Sequence, residues 1–493
     1  MPADRYPNIV LVVLDTLTTR AASLGTGWMP WLDSLAEQGL SHSHAVANAP
    51  WTYPSHGSLF TGLLPSEHGM EVPPLRLPGG RKRFGRLMRQ IERAAPGRRP
   101  RIGERWLPAV LTRAGYETVL LSNNPVVSRQ TGMDHGFGLV EDVSFSDLFK
   151  PPRVVRRVPS VEHSLRAADY TSRVFRSRQD LRAGDAVDRV RMWAANRDRT
   201  RPAFLFVNLM EAHFPYFTPS SRRAVRETGA GVWTTYRAMR LIEVGRSFLY
   251  NMGMLERSRY DRALRALRSL HRHAAAYLDA RVGEIVEAVR ADGGRGTVVA
   301  VTSDHGDAFG EHDAVFHGIT LDEPILHVPL VVSGDGVPGS STTGTVELRQ
   351  VYATLLETAG ASVPDGAAPS LLAAGASGRP VVAERDRSDV PAEVPPGSEA
   401  AERLGRLRAV YADPYKLVVS EERTRLYDLS ADPAEATDLA PARPEVVAEL
   451  TAALPPWPDA PPEPHGEEEE PATLSAEEQD EIAQQLAALG YLE

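Results

Sequence analysis

The feature that most constrains this chain is a set of short, unbroken apolar runs, each followed by residues able to bind or react. Asn8–Leu14 (NIVLVVL) ends at Asp15, and the run in GYETVLLSNNP ends at Asn123 and Asn124. Ala203–Leu209 (AFLFVNL) leads into Glu211, Ala212 and His213, and Thr297–Thr302 (TVVAVT) leads into Ser303, Asp304 and His305. Residues 326–332 (LHVPLVV) make a fifth run. Apolar runs without polar alternation predict strands buried on both faces, as in a parallel sheet. Helical spacing lies between them at 31–39, 106–114, 185–195 and 221–292, clearest at 277–289. Strand alternating with helix predicts a doubly wound, mostly parallel α/β domain over residues 1–384. Such a sheet collects the carboxyl ends of its strands, and their side chains, along one edge.

Residues 49–69 (APWTYPSHGSLFTGLLPSEHG) place Thr52 two positions before Pro54, at the entry to a helix. Free N–H groups and the positive dipole end favour an anion there. A threonine hydroxyl at such a corner becomes a nucleophile only if its pKa is lowered. Asp15, Asp304 and His305 offer the means, because two carboxylates and an imidazole suit a divalent metal of mixed oxygen and nitrogen preference. Each residue also has an ordinary reading. A strand-terminal aspartate often caps a helix, and a histidine before glycine often sits in a turn.

Composition removes several classes of function. The chain has no cysteine, which excludes disulfides, thiolate ligands and cysteine nucleophiles. A net charge of −9 argues against general nucleic-acid binding. No apolar run approaches a membrane span, and the apolar start reads as a strand with no cleavage-site pattern after it, so the expected location is cytoplasmic. Residues 81–101 hold nine basic residues against Glu92. With Phe84, Leu87, Met88 and Ile91 on one face, they read as a basic amphipathic helix, either touching an anionic surface weakly or packed on its own domain. Residues 403–452 predict a small antiparallel subdomain, 453–472 a disordered linker rich in proline and glutamate, and 473–493 a final helix capped by Ser475 and Glu478.

NIVLVVLDTL, APWTYPSHGSLFTGLLPSEHG, AGYETVLLSNNP, FVNLMEAHFPY, TSDHGDAFGEH, HG…LDEPILHVPLVV, YKLVV and LYDLSADPAEATDLA together resemble, in order, the sulfatase family of the alkaline-phosphatase superfamily. The resemblance implies one divalent metal (Mn, Zn, Mg or Ca) on Asp15, Asp304, His305 and the Thr52 hydroxyl, with Thr52 at the nucleophile position. It implies that His213 stands near the leaving oxygen. It sets His317 and the amides of Asn123 and Asn124 on the anionic oxygens of a small ester substrate. Two departures matter. The family's C-x-P-S-R, whose first residue becomes formylglycine, is here Thr52-Tyr53-Pro54-Ser55-His56, so no aldehyde forms and His56 replaces arginine. The usual Asp-Asp pair is Asp15-Thr16, which trades a carboxylate for a weaker hydroxyl and disfavours oxygen-hungry calcium.

The expectation is therefore a metal-dependent hydrolase of phosphodiesters or phosphomonoesters acting through Thr52, with His56 also holding equatorial oxygens. A sulfatase working without formylglycine is the nearest alternative. A non-catalytic relative that binds polyanions or membrane surfaces is the alternative of another class. Neither the oligomeric state nor the alcohol half of the substrate is legible.

Overall fold

The computed structural model describes residues 6–71, 103, 105–143, 159–242, 244–291, 294–385 and 398–457. The basic stretch 81–101, most of the linker expected at 453–472 and the helix expected at 473–493 lie outside the described residues.

The main sheet contains β1 (Asn8–Leu14), β2 (Leu40–Val46), β3 (Glu117–Ser122), β4 (Leu139–Asp142), β5 (Ala203–Leu209) and β6 (Thr297–Thr302). A short hairpin of β7 (Ala308–Phe309) and β8 (Val315–Phe316) follows, then β9 (His327–Gly334), β10 (Ser340–Thr342) and β11 (Val346–Glu347). The order across the sheet is β10-β2-β9-β6-β1-β5-β3-β4, with β11 also on β2. All pairings are parallel except those of β9, which runs against β2 and β6. The reversal has a simple cause. After β6 the chain stays at the carboxyl edge to lay down residues 303–322, and β9 then starts from that same edge.

The side chains of β1 alternate between two apolar layers. Ile9, Leu11 and Val13 face a core shared with Leu59 and Phe60 of the helix Thr52–Thr61 and with Tyr352 and Leu355. Val10, Val12 and Leu14 face a second core built with Val187 and Val190 of the helix Ala183–Asn196 and with Leu278 and Val282 of the helix Asp261–Arg290. Both faces are covered, which is why the strands read as continuous apolar runs. Among the described residues, no helix is long and apolar enough to cross a membrane.

A second, antiparallel sheet comprises β12 (Val381–Arg385), β13 (Leu407–Ala412), β14 (Tyr415–Ser420) and β15 (Thr424–Asp428). Its edge strand β12 grips the segments on either side of the Thr52–Thr61 helix. The Glu384 N–H donates to the Asn48 carbonyl at 2.9 Å, and the Asn48 amide donates to the Val382 carbonyl at 2.8 Å. The Glu384 carboxylate accepts the Ser66 N–H at 2.9 Å and pairs with Arg408 at 2.9 Å. Leu64 completes the small sheet's own apolar cluster.

Candidate active site

Thr52 is the first residue of its helix, after Trp51 in extended conformation, and it is fully buried. Pro54 in the first turn needs no N–H partner. The Thr52 hydroxyl lies 3.3 Å from His305 Nε2. His305 Nδ1–H donates to the Gly306 carbonyl at 3.0 Å, which fixes the tautomer and leaves a lone pair on Nε2. Burial pushes this imidazole down to about 3, so the ring is neutral and able to ligate.

Asp15 and Asp304 stand beside that nitrogen; one ligand atom from each of the three lies within 4.8 Å of the others. One oxygen of each carboxylate is engaged. Asp15 Oδ2 accepts from the Asn124 amide at 2.5 Å, and Asp304 Oδ1 accepts the N–H groups of Thr16 at 3.2 Å and His305 at 3.0 Å. The other oxygens, Asp15 Oδ1 and Asp304 Oδ2, are buried with no hydrogen-bond partner among the described residues. Burial, then the charge of Asp304, pushes the Asp15 carboxyl well above its usual range, and burial raises Asp304 against the pull of His56. Two buried, partly unsatisfied carboxylate oxygens and a bare imidazole nitrogen fit a divalent cation. The Thr16 hydroxyl does not join them. Thr16 has φ of 60°, and its hydroxyl donates to the Ala212 carbonyl at 2.6 Å.

Three of the residues expected on substrate oxygens have other partners. His56, one helical turn after Thr52, is fully buried beside Phe60 and Phe206. Its Nδ1–H donates to the Thr52 carbonyl at 2.9 Å, and its Nε2 accepts from the Asn208 amide at 3.3 Å. It therefore positions Thr52 from behind. Asn123 and Asn124 follow β3, where successive side chains turn to opposite sides. The Asn123 amide donates to the Leu181 carbonyl at 2.7 Å, while the Asn124 amide orients Asp15 and its oxygen accepts from Val126 N–H at 2.7 Å.

His213 and His317 do come to the site. Their rings are 5.3 Å apart, and the His317 ring is 4.4 Å from that of His305. His213 Nδ1–H donates to the Phe214 carbonyl at 2.9 Å, and burial pushes the ring down to about 3. His317 Nδ1 faces Asp307 Oδ1 at 2.6 Å, and the other Asp307 oxygen accepts from the Tyr216 hydroxyl at 2.9 Å. Asp307, Tyr216 and Asn208 were not anticipated from sequence. Asp307 had a signal, standing in the same DHGD run as Asp304 and His305.

Glu211 ties this edge to the helix Ala183–Asn196, because its Oε1 accepts the N–H groups of Leu181 at 3.1 Å and Ala183 at 2.7 Å. Burial, then the charge of Asp180, pushes its carboxyl up to about 8. The raised value means that the fold favours the neutral acid. Its contribution is complete below the unfolded value of about 4.3 and is lost as pH rises towards about 8. Glu211→Gln keeps an oxygen acceptor, so the fall in unfolding free energy between pH 5 and pH 8 should shrink by a few kcal/mol relative to wild type. Identical pH profiles of thermal unfolding for the two proteins would refute this.

Comparison with known proteins agrees with the geometry. The sulfatase family model matches residues 7–361. Arylsulfatase K of Xenopus laevis is 23% identical over 92% of this chain and 82% of its own length, and arylsulfatase K of Danio rerio is 36% identical over 20% of this chain and 19% of its own. Among solved structures, the phosphonate monoester hydrolase of Agrobacterium radiobacter superposes with a TM-score of 0.61 at 18% identity, covering 91% of this chain and 95% of that one. A 2-O GAG sulfatase superposes with a TM-score of 0.58 at 19% identity, covering 91% of each. These structures share the fold, a large, mostly parallel sheet flanked by helices with a small antiparallel sheet after it. The chain belongs to the sulfatase family and is an ester hydrolase.

Proposed function

We propose that the protein hydrolyses phosphomonoesters or phosphodiesters through Thr52. The observation that carries this reading is the clustering of one ligand atom each from Asp15, Asp304 and His305 within 4.8 Å, with the Thr52 hydroxyl 3.3 Å from His305 Nε2. These residues would hold one divalent cation, with manganese, zinc and magnesium favoured over calcium by the imidazole and the missing second carboxylate. When bound, it would lower the pKa of the Thr52 hydroxyl and offset charge on the transferred group.

The Thr52 hydroxyl gives up its proton to solvent, its oxygen forms a bond to phosphorus as the bond to the alcohol oxygen breaks, and that oxygen takes a proton from a protonated histidine as it leaves. His317 suits the proton transfer better than His213. The Asp307 carboxylate against Nδ1 balances positive charge on the His317 ring. His213 gives its Nδ1–H to the Phe214 carbonyl, which leaves Nε2 an acceptor. Water then attacks phosphorus in the threonine ester and returns a proton to the histidine; the Thr52 oxygen leaves and regains its proton from solvent, and the product is phosphate from a monoester or a phosphomonoester from a diester. His56 and Asn124 hold Thr52 and Asp15 in place throughout.

The choice of phosphorus follows from the nucleophile. A formylglycine hydrate expels sulfate by elimination through its second hydroxyl; threonine has a single hydroxyl, so its ester must be cleaved at the central atom. The arylsulfatase K relatives favour a second reading, sulfate-ester hydrolysis through the same residue. Nitrophenyl phosphate, bis-nitrophenyl phosphate and nitrophenyl sulfate, compared at equal metal content, separate the two. At least one phosphate ester should turn over about tenfold faster than the sulfate, a barrier difference of ~1.4 kcal/mol. Faster multiple turnover of the sulfate would overturn the phosphoester reading.

A further inference from the structure

A second constellation, built from none of the residues above, lies between the two sheets. His44 sits in β2 where the pairing with β9 shifts register between His42 and Ala45, and such an irregularity re-aims a side chain out of strict alternation. It faces Glu323, at the start of the helix Glu323–Leu326, and His327, the first residue of β9. His44 Nε2 is 2.9 Å and His327 Nδ1 is 3.8 Å from the same oxygen, Glu323 Oε2. One ligand atom from each of the three lies within 4.8 Å of the others.

The hydrogen bonds around the two rings decide what their inner nitrogens are. The Thr345 hydroxyl gives its proton to Asp413, so it can only accept from His44 Nδ1, 2.8 Å away. His327 Nε2–H donates to the Ser43 carbonyl at 2.9 Å. His44 Nε2 and His327 Nδ1 are thus the nitrogens left facing Glu323 Oε2, where His44 makes a 2.9 Å hydrogen bond that a bound cation would replace. Outer partners that fix both imidazoles and their tautomers are what a histidine metal site requires. Glu323 Oε1 is satisfied separately by the Tyr411 hydroxyl at 2.8 Å and Lys416 at 3.1 Å, leaving Oε2 for the ion. Ligands on one tetrahedral zinc stand about 3.3 Å apart, and the two distances to Glu323 Oε2 straddle that value. Glu323 and His327 also line a cleft of about 590 Å³, which gives an entry path and room for water as a further ligand.

We propose that His44, Glu323 and His327 form a second divalent metal site, of the zinc class, which staples β2 and β9 of the main sheet to the small sheet through Glu323, Tyr411 and Lys416. It is structural, and it is independent of the cation at Asp15, Asp304 and His305.

Zinc alone serves as the probe, on the full chain. Wild type saturated with zinc and freed of excess should carry two equivalents. Asp304→Asn should keep one, and His327→Gln or His44→Gln should remove the other, with near-ultraviolet circular dichroism confirming the fold of each variant. Thr345→Val, which leaves all three ligands in place, should weaken zinc binding at this site about 10–100-fold. Cobalt bound to Asp304→Asn should show visible absorption that disappears when His327→Gln is added. A wild type with one equivalent that is lost in His327→Gln and kept in Asp304→Asn would support this site and refute the catalytic one. Absence of zinc from Asp304→Asn, or a full wild-type complement in folded His44→Gln and His327→Gln, would overturn the proposal.

Discussion

Replacing Thr52 with alanine is expected to lower turnover about ten-thousand-fold or more while leaving the metal content of the Asp15, Asp304 and His305 site unchanged. The change removes the proposed attacking oxygen and its contact with His305 Nε2, but none of the three carboxylate and imidazole groups proposed to hold the metal. The backbone is not disturbed, because the Thr52 carbonyl still accepts from His56 and alanine is at ease in a helix. Thr52→Ser restores a hydroxyl without the γ-methyl and should recover a substantial part of the activity. Thr52→Cys should not produce sulfatase activity, because His56 stands where C-x-P-S-R has arginine. Single-turnover and steady-state assays on the preferred ester, with metal analysis of each preparation, make the comparison. Thr52→Ala retaining more than about a tenth of wild-type turnover would remove Thr52 from the mechanism.

Asp304→Asn should have an effect of similar size by a different route. The asparagine oxygen can still accept the N–H groups of Thr16 and His305, so the loop after β6 keeps its shape. What is lost is one of two buried negative charges. Zinc or manganese affinity should fall at least about a hundredfold, and turnover should fall with it at limiting metal. The same change should raise the thermal stability of the metal-free protein, because burial and mutual repulsion penalise the Asp15–Asp304 pair when no cation separates them. Loss of activity with metal retained would mean that Asp304 acts on substrate. A metal-free variant less stable than metal-free wild type would mean that the carboxylate pair is not the source of strain.

The strands that carry the site were legible because each is buried on both faces and so reads as an apolar run. β2 was not. In LSHSHAV the polar residues interrupt the run, yet His42 is buried, bonded to Thr342, with its ring pushed down to about 4 by burial. The direction of β9 was equally hidden, since it depends on which edge the chain re-enters from. Within the candidate site, the residues that follow strands directly stand out in the sequence, and the partners of their neighbours do not. Nothing local tells Asn123 from Asn124; the turn after β3 sends one to Leu181 and the other to Asp15. His56 looked like a donor for substrate because Asn208 and Phe206, which enclose it, lie some 150 residues away in sequence. Asp307 was passed over for a similar reason, because Tyr216 and His317 become its partners only when the chain folds.

The grip of β12 on the Thr52–Thr61 helix has a consequence for the order in which the enzyme is made. Thr52 emerges from the ribosome early, but the strand that accepts the Ser66 N–H and holds the Asn48 loop is not synthesised until residues 381–385. β12 is in turn held by β13, β13 by β14, and β14 by β15. At the usual pace of translation the helix therefore waits on the order of tens of seconds for its support. During that interval the Ser66 N–H lacks its carboxylate and the Asn48 amide lacks the Val382 carbonyl, one of its two acceptors, so the helix carrying Thr52 is not yet fixed against Asp304 and His305. The seating of Thr52 is thus a property of the nearly finished chain, and fragments released before β15 lack it even though they contain Asp15, Thr52, Asp304 and His305.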